Sequence, residues 1–259
     1  MNSPRRLITW GTGELGGRVA KLWRAQGGAV IGLTQTEKRH ADLKAKGIEP
    51  QLGDPLFLIE PDDVLLLALP GYRNQGPAVE MLRDTPPPFR TVLIGSTGYY
   101  GLPTGTVDEQ TPPGEGGRPA AMAAVERLFL DWAGKRGTVL RLGGLYRPSR
   151  GPVPALIRRG KPLPGPPNKT LALIHYDDAA TATVMALQHP NPERVYLGVV
   201  TPCPTREEFY GLACRQLGLP DPTFDPPLPH PPAHFDTTLL QRDLLPNPAY
   251  PNWHSALAG

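Results

Sequence analysis

The sequence has little cysteine, no long basic segment and no obvious metal-binding grouping. Only Cys203 and Cys214 occur among 259 residues. They are too few for a disulfide framework, and neither belongs to a Cys-x-x-Cys pair of the kind that binds zinc or exchanges electrons. Lysine and arginine are spread along the chain, and the formal net charge is only +3. We therefore predict reduced, structural cysteines, no metal site, and no nucleic acid as the main partner.

Long apolar runs are also missing. The most apolar run, residues 64–69, is far shorter than the ~20 residues that a membrane span needs, and the amino terminus has no signal-peptide apolar core. The expectation is a cytoplasmic protein with no membrane partner.

What the sequence does have is a repeated alternation of short apolar runs with amphipathic stretches. This alternation predicts an α/β fold, a Rossmann-like doubly wound parallel sheet with a small C-terminal lobe. The apolar runs are 7–10, 29–33, 64–69, 91–94, 139–142, 171–174 and 195–200. We assign the Rossmann domain to residues 1–146, completed by about 171–200, and the lobe to residues 147–170 and 201–259.

The lobe has two features of its own. Thr205 and Glu208 form a capping box that predicts the start of a helix. Ten of the chain's 34 prolines fall between Leu219 and Pro251, where the chain forms either an extended strap over the surface or a partly disordered tail.

A glycine loop follows the first apolar run and opens the first amphipathic helix. Its residues are Gly11, Thr12, Gly13, Glu14, Leu15 and Gly16, the G-x-G-x-x-G spacing of dinucleotide-binding folds. The first glycine permits the tight turn, the second lets a pyrophosphate approach the backbone, and the third packs helix on strand. The alternative is an ordinary glycine turn, but the strand and helix on either side favour binding of a nicotinamide dinucleotide.

The end of the second apolar run indicates which dinucleotide. An NAD-preferring site usually has Asp or Glu there, whereas this chain has Thr34 and Gln35, with Lys38 and Arg39 soon after. A hydroxyl, an amide and two cations suit a 2′-phosphate. The prediction is NADP, with NAD as the alternative because Glu37 lies close by and because the two charges could belong to a solvated turn.

Asp54 is the last candidate on this side of the chain. Its carboxylate is placed to accept a hydrogen bond from the adenine amino group, although an Asp that caps its own loop is an equal alternative.

Four later segments, in order, resemble the NAD-dependent epimerase/dehydratase family of extended short-chain dehydrogenases. They are 95–101 (GSTGYYG), 108–112 (DEQTP), 140–148 (LRLGGLYRP) and 174–178 (IHYDD). With the glycine loop, the likeness spans roughly residues 7–217. The resemblance implies a cofactor cleft at the carboxyl ends of the strands and a C-terminal substrate lobe. The predicted cofactor site is completed by Ala68, Leu69, Pro70, Gly95, Met122 and Tyr146.

The resemblance also implies a catalytic site, and here the chain departs from the family. Ser96 matches the family's Ser or Thr that orients a substrate hydroxyl or carbonyl, a role compatible with capping the turn after its strand. The family's Tyr-x-x-x-Lys pair is missing, because aligning on Glu126 places Arg118 and Met122 at those positions. A tyrosine needs a neighbouring cation to exchange a proton near neutral pH, and loss of a positioned general acid typically costs ~10²- to 10⁴-fold in rate.

Substitute acids are available nearby. Tyr99 and Tyr100 lie beside Ser96 in sequence and are, with Ser96, our candidate catalytic residues. Tyr146, His175 and Arg118 are further candidates, and each has an alternative role in packing or at a solvated helix end. A basic cluster corresponds to the family's substrate lobe, where it would hold the phosphates of a substrate or form an exposed helix face. Its residues are Arg147, Arg150, Arg158, Arg159 and Lys161.

Two functions follow as expectations. The first is an NADP(H)-binding oxidoreductase or epimerase/dehydratase-like protein that acts on a small carbonyl, hydroxyl, phosphorylated or sugar-nucleotide substrate. The second is a catalytically silent NADP(H)-binding sensor or regulator, which the missing Tyr and Lys favour. A homodimer is expected by analogy with the resembled family.

Overall fold

A computed structural model describes residues 4–257 and contains a seven-stranded parallel sheet. Its strands are β1 (Leu7–Trp10), β2 (Val30–Thr34), β3 (Glu49–Leu52), β4 (Val64–Leu67), β5 (Arg90–Ser96), β7 (Gly137–Leu142) and β10 (Val195–Gly198). Two parallel strand pairs lie outside it: β6 (Thr106–Val107) with β11 (His234–Phe235), and β8 (Gly144–Tyr146) with β9 (Leu173–His175).

The helices among the described residues surround this sheet. They are α1 (Glu14–Ala25), α2 (His40–Ala45), α3 (Tyr72–Met81), α4 (Gly117–Ala133), α5 (Pro152–Arg159), α6 (Tyr176–Gln188), α7 (Arg206–Leu217) and α8 (Thr238–Asp243). None of these helices has the length and apolarity needed to cross a bilayer.

Apolar residues on both faces of the strands explain why the sheet is covered on both sides. Successive side chains in a strand point to opposite faces. Leu7 therefore joins the core beneath α1 and α6, and Ile8 joins the core beneath α3 and α4. Continuous apolar runs such as Val64–Leu67, buried along their whole length, are typical of parallel strands packed on two faces. The predicted doubly wound, Rossmann-like fold is confirmed.

The strand order places a crevice beside the glycine loop. The order is β10-β7-β5-β4-β1-β2-β3, so the chain runs outward in one direction from β1 to β3 and in the other from β4 to β10. The reversal lies between β1 and β4. Ligands of open α/β sheets bind at such a reversal, outside the carboxyl ends of the strands.

The C-terminal lobe has a separate small core. Tyr146, Leu156, Phe209 and Tyr210 pack together in it. The predicted capping box is present: Thr205 Oγ1 accepts from the Glu208 amide, and the Glu208 carboxylate accepts from the Thr205 amide. Of the segment 171–200, which we expected to complete the Rossmann sheet, only β10 joins it, whereas β9 pairs with β8.

The proline-rich segment is an extended strap rather than a disordered tail. Asn168 ties it down, because its side-chain amide donates to the Leu228 and His230 carbonyls and its oxygen accepts from the Leu228 amide. Thr170 Oγ1 adds a bond of 2.7 Å to the Ala233 carbonyl.

A second anchor holds the end of this segment against α6. The buried Asp178 carboxylate accepts from the Ala249 and Tyr250 amides. The Tyr250 ring stacks on His175 with 3.5 Å between ring centroids. Residues 220–257 therefore belong to the folded structure.

Candidate functional site

The glycine loop has the geometry that its spacing predicts. Gly11 has φ +100°, and a Cβ there would lie 2.7 Å from the Ala68 carbonyl oxygen. A Cβ on Gly16 would lie 2.1 Å from the Gly11 oxygen. These two glycines are required by the close approach of backbone to backbone. A Cβ on Gly13, in contrast, would meet no heavy atom within 4 Å.

The open space at Gly13 leads into a cavity at the start of α1. Gly13 is the N-cap residue, and it supplies no side-chain hydrogen bond to the helix. The first amides of the helix have no partner within it and are available to an anion. The cavity has a volume of about 390 Å³. We call it the first cavity; it is lined by residues that include Gly11, Gly13, Glu14, Leu15, Gly16, Ala68, Leu69, Pro70, Gly95, Ser96, Met122, Glu126, Leu145 and Arg150.

A shallower recess continues from the glycine loop to the end of β2. Thr34, Gln35 and Arg39 line it, and no carboxylate among the described residues does. The Arg39 guanidinium donates to the Thr12 carbonyl at 2.7 Å, which turns its charge towards the glycine loop. The Thr34 hydroxyl lies 2.8 Å from the His40 ring.

Two residues that we predicted to contact the 2′-phosphate or the adenine lie outside this recess. Lys38 is exposed on the short 3₁₀ turn Glu37–Arg39 and does not contribute to the lining. The Asp54 carboxylate accepts from the Leu56 amide at 3.0 Å, the loop-capping alternative considered above. The structure thus brings Thr34 and Arg39 to the glycine loop but not Lys38 or Asp54.

Ser96 lies where the first cavity meets a second one. Its hydroxyl accepts from the Gly98 amide at 3.1 Å and so caps the turn Thr97–Tyr100, while the residue lines both cavities. Met122 lines the first cavity close by. Its apolar thioether is at the position that the sequence resemblance predicts for the family's lysine.

Glu126, one helical turn after Met122, forms a buried ion pair. Arg141 Nε donates to its Oε2 at 2.9 Å, and both side chains are about 5% exposed. Burial raises the pKa of Glu126, and the Arg141 charge opposes that rise. The pair ties α4 to β7 at the first cavity, which Glu126 lines.

Both candidate tyrosines are engaged by the same arginine. The Arg141 guanidinium lies 3.5 Å from the centre of the Tyr99 ring and donates to the Tyr100 hydroxyl at 2.9 Å. The Tyr100 hydroxyl in turn donates to the Asp108 carbonyl. Burial raises the pKa of Tyr100 to about 12. These contacts favour structural roles for Tyr99 and Tyr100.

Tyr146 and His175 are also packed away from the first cavity. Tyr146 is buried in the lobe core and meets the His175 ring edge-on, with 5.1 Å between centroids. His175 Nδ1 accepts from the Asp177 amide and caps α6. Neither residue lines either cavity, so the structure does not bring Tyr146 to the other predicted cofactor residues.

The second cavity lies between the sheet and the lobe and has a volume of about 830 Å³. It begins at Ser96, and the strap forms one wall of it through Leu228, His230 and Phe235. Arg118, at the start of α4, and Lys169, before β9, line it as well. Sequence reasoning considered Arg118 but missed Lys169, because no local pattern distinguishes this lysine from a surface one.

The predicted basic cluster is divided between two places. Arg147 pairs with Glu14 at 3.2 Å, and Arg150 lines the first cavity. Arg158, Arg159 and Lys161 are exposed at the end of α5 and line neither cavity.

Known proteins show the same architecture. No protein-family model matches the chain. Protein YeeZ of Escherichia coli K12 is 30% identical over 243 residues, which cover 85% of this chain and 86% of that protein. A solved structure of a protein described as an NAD-dependent epimerase/dehydratase, from Methylobacillus flagellatus, is 23% identical with a TM-score of 0.75, covering 99% of this chain and 97% of that one.

A second solved structure, the human epimerase family protein SDR39U1 with NADPH, is 17% identical with a TM-score of 0.72. It covers 98% of this chain and 97% of that chain. The chain therefore belongs to the family of Protein YeeZ and has the fold of the NAD-dependent epimerase/dehydratase group of short-chain dehydrogenases.

Proposed function

We propose that the protein is an NADP(H)-dependent oxidoreductase or epimerase/dehydratase-like enzyme that binds its cofactor along the first cavity. One observation carries the proposal: Gly13 faces open space directly before an uncapped helix N-terminus, at the reversal of strand order. A pyrophosphate fits this arrangement because free amides and the helix dipole both attract an anion. The described residues of the loop thus fit a dinucleotide.

The recess at the end of β2 supports NADP over NAD. The Arg39 guanidinium and the Thr34 and Gln35 side chains line it without a carboxylate. A carboxylate would bind the ribose 2′-hydroxyl of NAD, whereas a guanidinium binds a 2′-phosphate.

The chemistry takes place at Ser96, between the two cavities. A bound nicotinamide supplies or accepts a hydride there. Ser96 orients the reacting carbonyl or hydroxyl group of the substrate, and the second cavity holds the rest of the substrate. Met122 cannot hold or move a proton, so the protein contributes mainly by positioning the reactants.

The first test is a titration of the wild-type protein with NADPH and NADH, followed by intrinsic fluorescence. Trp10 lines the recess at the end of β2 and reports on occupancy. We expect tighter binding of NADPH than of NADH. Arg39→Ala should weaken NADPH binding about ten-fold or more through loss of a charged hydrogen bond, with little effect on NADH.

Lys38→Ala is the matched control, since this neighbouring cation lies outside the recess. If neither nucleotide binds below millimolar concentration, the proposal is contradicted. If the Arg39 and Lys38 variants lose the same amount of NADPH affinity, the NADP assignment is contradicted.

The second candidate is a catalytically silent NADP(H) sensor. The thioether of Met122 close to Ser96 favours it, because an uncharged thioether cannot lower the pKa of a proton donor as a lysine would. A panel of aldehydes and ketones separates the two functions: oxidation of bound NADPH supports the enzyme, and tight binding without oxidation supports the sensor.

A further inference from the structure

Three cations lie at or behind the second cavity without a carboxylate partner. Arg118 and Lys169 line the cavity. Arg206 lies behind Lys169, about nine-tenths buried, and its backbone amide donates to the Lys169 carbonyl. Within residues 4–257 none of the three forms a salt bridge.

The Arg206 guanidinium is held by neutral groups only. It donates to the Leu163 carbonyl and lies 5.1 Å from the centre of the Tyr210 ring, while its Nε has no partner among the described residues. A buried charge without a counterion is costly. No ion pair among the described residues therefore compensates the Arg206 charge.

The positive charges of Arg118 and Arg206 repel that of Lys169. Burial lowers the pKa of Lys169, and the charges of Arg206 and Arg118 lower it further. An anion between the cations would relieve this repulsion. The carboxylate that lines the same cavity, Glu115, is exposed and pairs with none of them.

We propose that the second cavity binds an anionic substrate, with its carboxylate or phosphate group between Arg118 and Lys169 and with Arg206 adding its charge from behind. The assignment rests on the proposed function, in which this cavity holds the substrate. It gives Arg118 a binding role at the position where the resembled family has its catalytic tyrosine. The strap forms one wall of the cavity that holds the anion.

The test uses inorganic phosphate and malonate as probes of the full-length Gly13→Val protein. The valine fills the space at the glycine loop, so that neither probe binds at the start of α1. Binding is followed by ³¹P NMR line broadening for phosphate and by saturation-transfer NMR for malonate. Binding of phosphate alone indicates a phosphorylated substrate, and binding of malonate alone indicates a carboxylic acid. Binding of both indicates a site that accepts either anion.

We expect Arg118→Gln and Lys169→Gln each to weaken binding of the preferred probe about ten-fold or more, because each removes a charged hydrogen bond. Arg127→Gln and Lys161→Gln are matched controls. Arg127 is exposed on the same helix as Arg118, and neither control residue lines the cavity. If neither probe binds, or if all four variants bind equally well, the assignment is overturned.

A second measurement needs no substitution. Acetylation of the wild-type lysines, mapped by mass spectrometry, should slow at Lys169 when the bound probe is present and remain unchanged at Lys161. Equal rates at Lys169 with and without the probe contradict the assignment. The NADPH titration described above is independent of both measurements, so failure of the cofactor proposal is distinguishable from failure of this one.

Discussion

The two cavities are built in different ways. The first is formed largely by turns that follow neighbouring strands of one sheet, and its shape depends on backbone contacts at Gly11 and Gly16. The second is enclosed by segments far apart in the chain, from Ser96 to the strap at Phe235. Ser96 belongs to both. The glycine turn of the first cavity is thus specified by local sequence, whereas the wall that the strap adds to the second cavity depends on long-range contacts.

The largest expected effect comes from the buried ion pair of Arg141 with Glu126, a residue that lines the first cavity. Arg141→Ala leaves the buried Glu126 carboxylate without its partner, and removal of one partner of a buried pair costs about 3–5 kcal/mol. We expect a loss of this size in the free energy of unfolding, measured by urea denaturation.

The exposed Arg127, on the same helix as Glu126, is the control, and Arg127→Ala should change stability by less than about 0.5 kcal/mol. The double variant Arg141→Met, Glu126→Leu should regain much of the loss, because it leaves no buried charge unpaired. A loss below about 1 kcal/mol in Arg141→Ala would show that the pair is not needed to support the cavities.

Gly13→Val changes the first cavity and leaves the second cavity intact. Its side chain occupies the space of the pyrophosphate, and we expect NADPH binding to weaken at least about 100-fold, or about 2.8 kcal/mol. The fold should persist, because Gly13 has a φ of −67° and its Cβ meets no neighbour.

Gly211→Val in α7 is the control, since the nearest atom to its Cβ is the flexible end of Arg215 at 3.5 Å. This variant should bind NADPH like the wild type. Unchanged NADPH affinity in Gly13→Val would mean that the cofactor does not use the glycine loop.

Asn168→Ala acts on the second cavity alone. It removes three hydrogen bonds to the strap, and we expect residues 220–235 to be cleaved about ten-fold faster in limited proteolysis. The affinity for NADPH should stay within about two-fold, well under 1.4 kcal/mol. Asn191→Ala, at an exposed site, is the control. Equal cleavage of the two variants would mean that Asn168 does not hold the strap.

The smallest effect concerns the anchor at the end of the strap. Burial lowers the pKa of His175, so the folded protein disfavours the protonated ring. The neutral His175 ring therefore contributes to the free energy of unfolding. This contribution is fully present above the unfolded pKa of about 6.5, and it is lost as the pH falls through the folded pKa. We expect the free energy of unfolding to decline between pH 7.5 and 5.5.

His175→Asn removes this titration, and asparagine keeps an acceptor for the Asp177 amide. The pH dependence of its stability should be shallower than that of the wild type. If the free energy of unfolding has the same slope against pH in both proteins, groups other than His175 cause the loss of stability in acid.

The sequence predicted the fold and the glycine loop because both rest on local patterns. Short apolar runs specify buried parallel strands, and the spacing of Gly11, Gly13 and Gly16 specifies one turn. The capping box at Thr205 was found for the same reason. Each of these features is complete within a few residues.

The remaining predictions of site residues were limited because the sequence does not show in which direction a side chain points. Lys38 and Arg39 are adjacent, but the turn that carries them aims only Arg39 at the glycine loop. Tyr99 and Tyr100 are candidate acids beside Ser96 in the sequence, although their partner Arg141 comes from a strand and lies 41 residues after Tyr100. Lys169 was missed because its neighbours Arg118 and Arg206 come from distant helices.

The position of the strap in the sequence also determines which of the two cavities is fully synthesised first. The last residue that lines the first cavity is Tyr176, whereas the strap wall of the second extends to Phe235. At ~5–20 residues per second, roughly 3 to 12 seconds separate the translation of these two positions. A growing chain thus contains every residue that lines the first cavity before the strap can complete the second cavity.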